Sequence, residues 1–315
     1  ETTIEETRTL SIIATMPEDE DPTTRVTLES DGNLGITLKW QEEGDILQFA
    51  FVQGEIKVKS HTELDGKVSN NGKKVTFDIV VPDGIDTAEP FDLYGLYSNY
   101  RDTDGSPNGI SEENPTNVIL TRNPGSIDNT LGAVETRGDV MLYFKEAEIS
   151  LSNPLTRVTF KHLGSLFAIS LRNTSTNDDL IDVKELRLQG VGGGTDENWA
   201  YNSGAGGQIF DLENEEFQNK ETSGTFISFT PPEDQTTLPA EATATLWAWY
   251  PPLPDINWPA LRLEMTDNSG TALISSENFK PTRATAPEAG KVYHFYARWD
   301  GTNLNFTDSD FNVSP

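Results

Sequence analysis

Apolar residues in this chain recur at every second position, the period of a β-strand with one packed face and one wet face. Leu10, Ile12 and Ala14 alternate, as do Val26 and Leu28, then Ile36, Leu38 and Trp40, Ile56 and Val58, and Val75, Phe77 and Ile79. Turn pairs bound these runs: Asp31-Gly32, Asp65-Gly66, Asn71-Gly72 and Asp83-Gly84. The Asn71-Gly72 pair between Lys67–Asn70 and Val75–Val81 predicts a hairpin, because Asn-Gly suits the left-handed conformations of a tight strand turn. No long segment carries a helical stripe; Glu213 to Lys220 is the one stretch that reads as a short helix.

Past Asn153-Pro154 the chain restarts with Val158 and Phe160. The continuous run Leu166-Phe167-Ala168-Ile169 suits either a strand buried on both faces or a short core segment. Leu261, Leu263 and Met265 alternate, and Val292, His294 and Tyr296 oppose Tyr293, Phe295 and Ala297. Asp300-Gly301 then turns the chain toward Leu304 and Phe306. The glycines of 190–194 and 204–207 complete no phosphate-binding pattern and read as a loop between strands. The pattern as a whole predicts an all-β chain of two antiparallel sandwich domains, residues 1–153 and 154–315.

Charge excludes several functions. Acids outnumber bases 51 to 23, a formal charge of −28. Nucleic-acid binding needs a basic footprint that this chain lacks, and an anionic membrane surface would repel it. No apolar run reaches the roughly 18 residues of a membrane helix. With no cysteine, there is no thiol nucleophile, disulfide or Cys-based metal centre.

The chemistry-bearing residues are few. His61, His162 and His294 have no metal-ligand spacing, and Gly164-Ser165-Leu166 lacks the glycines of a nucleophile elbow. Asp102, Asp104 and Glu113 have part of a calcium-loop spacing, although Pro107 stands where the loop needs glycine. Trp247, Trp249 and Trp258 form an aromatic cluster that would stack on sugars if exposed, or fill a core against the second sheet. Asp86-Thr87-Ala88 fits a short O-glycosylation pattern at Thr87. Carboxylates are so abundant that no pair stands out for glycoside hydrolysis. No cofactor is implied.

Three segments carry a family resemblance. Trp40-Gln41-Glu42-Glu43-Gly44-Asp45-Ile46 resembles the Trp-x-x-Gly-Asp turn of the fimbrillin family, one residue longer here. Phe160-Lys161-His162-Leu163 is similar to that family's Phe-x-His-Leu segment ahead of a buried strand, and Ala289-Gly290-Lys291-Val292-Tyr293 to its closing Ala-Gly-Lys-x-Tyr. The resemblance implies two transthyretin-like sandwiches and a non-enzymatic protein exported as a lipoprotein, its lipidated cysteine upstream of Glu1. It also implies a fimbrium or outer-membrane-anchored surface location, and assembly with other pilus subunits by strand exchange. On that reading Arg8 and Arg25 are the candidate cleavage points, and Leu10, Ile12 and Ala14 form the plug. Leu304, Phe306, Phe311 and Val313 anchor the donor tail, which Asp308 and Asp310 interrupt with carboxylates. The alternative is a monomeric surface lipoprotein that binds host or bacterial glycans or proteins through the tryptophans. A third class, an acid-active hydrolase, would need two carboxylates facing each other across an apolar cleft.

Overall fold

The structure is a computed structural model. It describes residues 8–16, 40, 45–64, 67–70, 72–98, 109–120, 126–127, 140–180, 182–201, 208–218, 223–231, 236–251, 253, 256–275, 277–281 and 287–307. These hold twenty-four β-strands and no helix. Sheet 1 runs β10 (Arg157–Thr159), β1 (Thr9–Thr15), β5 (Lys74–Val80), β4 (Val68–Ser69). Sheet 2 runs β11 (Lys161–His162), β9 (Leu142–Ile149), β6 (Phe91–Tyr97), β2 (Ile46–Gln53), β3 (Ile56–Glu63). Between them lies the first core, where Leu10, Ile12 and Phe77 meet Leu47, Phe49, Leu93 and Phe144. Phe49 stacks on Phe77 at 5.6 Å. The hairpin between β4 and β5 forms as expected, with Val68 opposite Val75 and Gly72 at a left-handed φ of +81°; Asn71 lies outside the described residues.

Sheet 3 runs β24 (Leu304–Phe306), β23 (Val292–Trp299), β12 (Ser165–Asn173), β20 (Thr243–Tyr250), β8 (Ser126–Ile127). Sheet 4 runs β14 (Thr195–Asp196), β13 (Val183–Gly192), β21 (Ala260–Asp267), β22 (Ala272–Ile274), with β19 (Phe226–Phe229) also on β13. Phe167, Ile169 and Phe295 face Leu188, Leu261 and Leu263 in a second core. Sheet 5 is the short pair β15 (Ala200–Tyr201) and β18 (Ser223–Gly224). Sheet 6 runs β17 (Glu216–Phe217), β16 (Gln208–Asp211), β7 (Asn117–Leu120). Pairing is mostly antiparallel, but β1 with β10 and β12 with β23 are parallel.

Three expectations change. The chain crosses between sandwiches later than Asn153-Pro154, because β10 and β11 complete sheets 1 and 2. Glu213 does not open a helix. The Asp211 carboxylate accepts from the Glu213 and Asn214 amides, which turns β16 back into β17. That hairpin docks on the first sandwich, where Phe210, Leu212 and Phe217 join the first core and Phe210 meets the Tyr143 ring edge-on at 4.9 Å. Lys161 holds Glu215 at 2.6 Å and keeps its carboxyl below the usual range. Gly190 and Gly192 belong to strand β13, because the Trp199 ring and the Glu197 carboxylate occupy the places their side chains would take.

The run from Leu166 to Ile169 is buried on both faces. Phe167 and Ile169 enter the second core, while Leu166 and Ala168 join the first together with Trp247 and Trp249. The two indoles therefore pack toward the first sandwich rather than against sheet 4, which receives Leu246, Ala248 and Tyr250. Sheet 3 is one wall of both cores, so the sandwiches share packing and are not beads on a linker.

Candidate assembly site

β1 lies between β5 and β10. It runs antiparallel to β5 from Thr9↔Val80 to Thr15↔Lys74, and parallel to β10 through Ile13↔Arg157, Ala14↔Val158 and Thr15↔Thr159. Among the described residues, Thr9 to Ile12 pair with β5 alone. Alternation decides which side chains enter the core. Leu10, Ile12 and Ala14 are 1 %, 0 % and 0 % exposed, opposite Ile79, Phe77 and Val75, while Thr9 and Ser11 face solvent. Burying Leu10 and Ile12 stabilises the fold by roughly 1.5–3 kcal/mol each. Neighbouring strands lie about 4.8 Å apart, so lifting β1 out would leave β5 and β10 roughly 9.6 Å apart, a gap one strand wide.

Arg8 closes the start of the strand. Its guanidinium donates to the carbonyls of Pro82 at 2.6 Å and Ile85 at 2.7 Å and to the Asp83 carboxylate at 3.1 Å. Its own carbonyl accepts from the Val81 amide at 2.7 Å. No sequence signal links Arg8 to Pro82 or Ile85; the clamp exists because β1 pairs with β5. Arg8 is thus a tied residue rather than a free surface arginine. It also precedes β1, so cleavage after it leaves Leu10, Ile12 and Ala14 attached. Arg25, the next arginine in the chain, lies outside the described residues.

The donor assignment changes at two positions. Leu304 and Phe306 already form β24 on the edge of their own sheet 3, opposite Trp299 and Ala297, and Leu304 is 1 % exposed. The Asp300 carboxylate makes this hairpin by accepting from the Thr302 and Asn303 amides. Phe311 and Val313 lie outside the described residues, as do Asp102 and Asp104 of the calcium spacing; Glu113 is exposed. Thr87 sits part-buried in a turn that the Asp86 carboxylate closes through the Ala88 amide. Trp247, Trp249 and Trp258 are 4 %, 1 % and 8 % exposed, so they form core rather than an open sugar platform.

The three resemblance segments meet at the joint of the sandwiches. Trp40 packs edge-on against Phe160 at 5.2 Å and Tyr97 at 4.8 Å, and the Tyr97 hydroxyl donates to the fully buried Asp45. Residues 41–44 of that turn lie outside the described set. His162 lies under Gly290, whose φ of +78° is left-handed and whose absent Cβ would fall 2.9 Å from the imidazole. The Gly290 amide donates to the Gly164 carbonyl at 2.9 Å, and the Leu166 amide to that of Lys291 at 3.0 Å. At Gly164 a Cβ would fall 2.4 Å from the Trp249 ring. Burial without a charged partner lowers the His162 pKa to about 4. The described residues of these motifs pack and hydrogen-bond at this joint.

No family model and no curated protein matches the chain. Among solved structures it is similar to a candidate cell adhesion protein from Bacteroides uniformis, with a TM-score of 0.45, 12 % identity and 95 % of each chain covered. It is similar to the fimbrial anchor protein Mfa2 from Porphyromonas gingivalis, with a TM-score of 0.45, 10 % identity and coverage of 94 % of this chain and 95 % of that one. A candidate polysaccharide-binding protein from Bacteroides thetaiotaomicron gives a TM-score of 0.46 at 9 % identity, covering 96 % and 99 %. The all-β class of the chain rests on its own twenty-four strands and two cores.

Proposed function

We propose that the chain is a non-enzymatic structural and adhesive protein of the cell surface, a fimbrillin-like pilus subunit or accessory component, in which β1 is the exchangeable strand. The supporting observation is the placement of β1. It is the first strand of the described chain, its alternate side chains fill the first core, and among the described residues Thr9 to Ile12 pair on one edge only. A strand in that position can be replaced by another of the same alternation, since main-chain bonds to β5 supply affinity and the pockets of Leu10, Ile12 and Ala14 supply register.

The geometry favours Arg25 over Arg8 as the productive cut. Arg25 is the first arginine beyond β1 in sequence, and the Arg8 guanidinium that a protease must engage is held by two carbonyls. The donor is the tail after Thr307, with Phe311 and Val313 as anchors, and the partner is another subunit. Digestion with an Arg-specific protease, followed by intact mass and a native gel, tests this. Loss of residues 1–25 followed by a ladder, prevented by Arg25→Ala and not by Arg8→Ala, is the expected outcome. A chain cut at Arg25 that stays monomeric, or one not cut there, overturns it.

A further inference from the structure

The second sandwich carries a cleft of about 820 Å³ at one end of sheet 4. Its walls are the β13–β14 turn, residues 256–260 leading into β21, and residues 278–280 after β22. A volume of this order falls within the roughly 300–1,000 Å³ of small-molecule sites. Glu197, Asn198, Asn257, Asn278 and Lys280 line it, and all five are exposed. Among the described residues none of the five makes a side-chain hydrogen bond or ion pair. That sets them apart from turn carboxylates such as Asp211, Asp267 and Asp300, each of which closes its own turn through backbone amides.

Trp258 also lines the cleft; it is only 8 % exposed, with its indole Nε1 buried and unpartnered. Its ring packs against Trp199 at 5.6 Å and Tyr293 at 4.9 Å. Charge in and beside the cleft is mixed. Arg262 is shared by Glu264 at 2.5 Å and Asp196 at 3.3 Å, and Glu197 and Lys280 are opposite in sign, so the five groups sum to −1. An anionic ligand finds no net attraction there, and an apolar one would desolvate amides without pairing them. A polyhydroxyl ligand fits, because every hydroxyl both donates and accepts and each of the three asparagine amides does the same.

We propose that this cleft binds a neutral saccharide. The proposal goes beyond the assembly role of β1 and does not rest on it. The test is retention of the full chain on an array carrying maltotetraose, mannotetraose and lacto-N-tetraose, with sialyllactose and a heparin tetrasaccharide as the anionic arm. The expected result is retention on at least one neutral oligosaccharide, reduced tenfold or more by Asn257→Ala with Asn278→Ala. The thermal transition should not move, and Glu55→Ala on the exposed β2–β3 turn should change nothing. If the double variant loses its thermal transition, Asn198→Ala takes its place with the same reading. No retention on any neutral oligosaccharide, retention on the anionic pair alone, or retention untouched by the cleft variants overturns the proposal.

Discussion

Replacing Ile12 by Ala asks whether β1 can leave its groove while the rest of the chain stays folded. Ile12 is fully buried opposite Phe77. The change removes three carbons, about 2.4 kcal/mol of transfer energy at ~0.8 kcal/mol each. An unrelaxed cavity of about 80 Å³ adds ~1.9 kcal/mol at ~24 cal/mol per Å³. The sum, about 4 kcal/mol, shifts the balance between seated and unseated β1 by roughly a thousandfold. If β1 is separable, the unseated form becomes the resting state once its own opening free energy is exceeded. The measured loss of stability is then capped below ~4 kcal/mol, and the urea slope falls because less surface remains to be exposed. Urea unfolding and amide exchange measure both. Amides of Leu10 to Ala14 should lose about a thousandfold in protection, and those of Phe49 and Phe51 less. Equal losses in β1 and β2 with an unchanged slope would refute the reasoning and make β1 an integral strand.

Gly164→Ala should cost about 1–3 kcal/mol in urea unfolding, because its Cβ would fall 2.4 Å from a Trp249 ring that is only 1 % exposed. Trp249→Ala should cost ~3–5 kcal/mol. Because Trp249 sits where sheet 3 closes the first core, exchange at Phe77 and at Leu263 should accelerate together. His162 supplies a pH dependence. Its folded pKa of about 4 lies below the ordinary value, so between about pH 6.5 and 4 the unfolded chain holds a proton the folded chain does not. Stability should therefore fall with pH across that window by roughly 3 kcal/mol, and His162→Gln should remove that part of the fall.

The alternations of Leu10-Ile12-Ala14 and Val75-Phe77-Ile79 are strand signals complete in themselves, and both strands form with those residues inward. Gly72 and the Asp300-Gly301 pair sit in the turns of two hairpins, where local turn chemistry is enough. The segment from Glu213 misled because its short polar run has no period of its own; the Asp211 turn and docking of Phe210 and Phe217 on the first core decide it. Of the saccharide cleft the sequence named Trp258 alone, and the rest was illegible for a related reason. Glu197, Asn257 and Asn278 lie on three separate segments, and only the pairing of β13 with β21 brings the first two of those segments side by side.

The sequence by itself determined the all-β class, the inward faces of β1, β5 and β21, the Asp83-Gly84 and Asp300-Gly301 turns and the net negative charge, because each follows from local residues or from composition. Tertiary structure alone decided that sheet 3 walls both cores, that Arg8 is clamped by Pro82 and Ile85, and that Leu304 and Phe306 stay in their own sheet. It also decided that Trp247 and Trp249 pack into the first core, while Trp258 lines the cleft of the second sandwich. A period of two says that a side chain points to one face of a sheet; what covers that face depends on contacts between residues far apart in the chain.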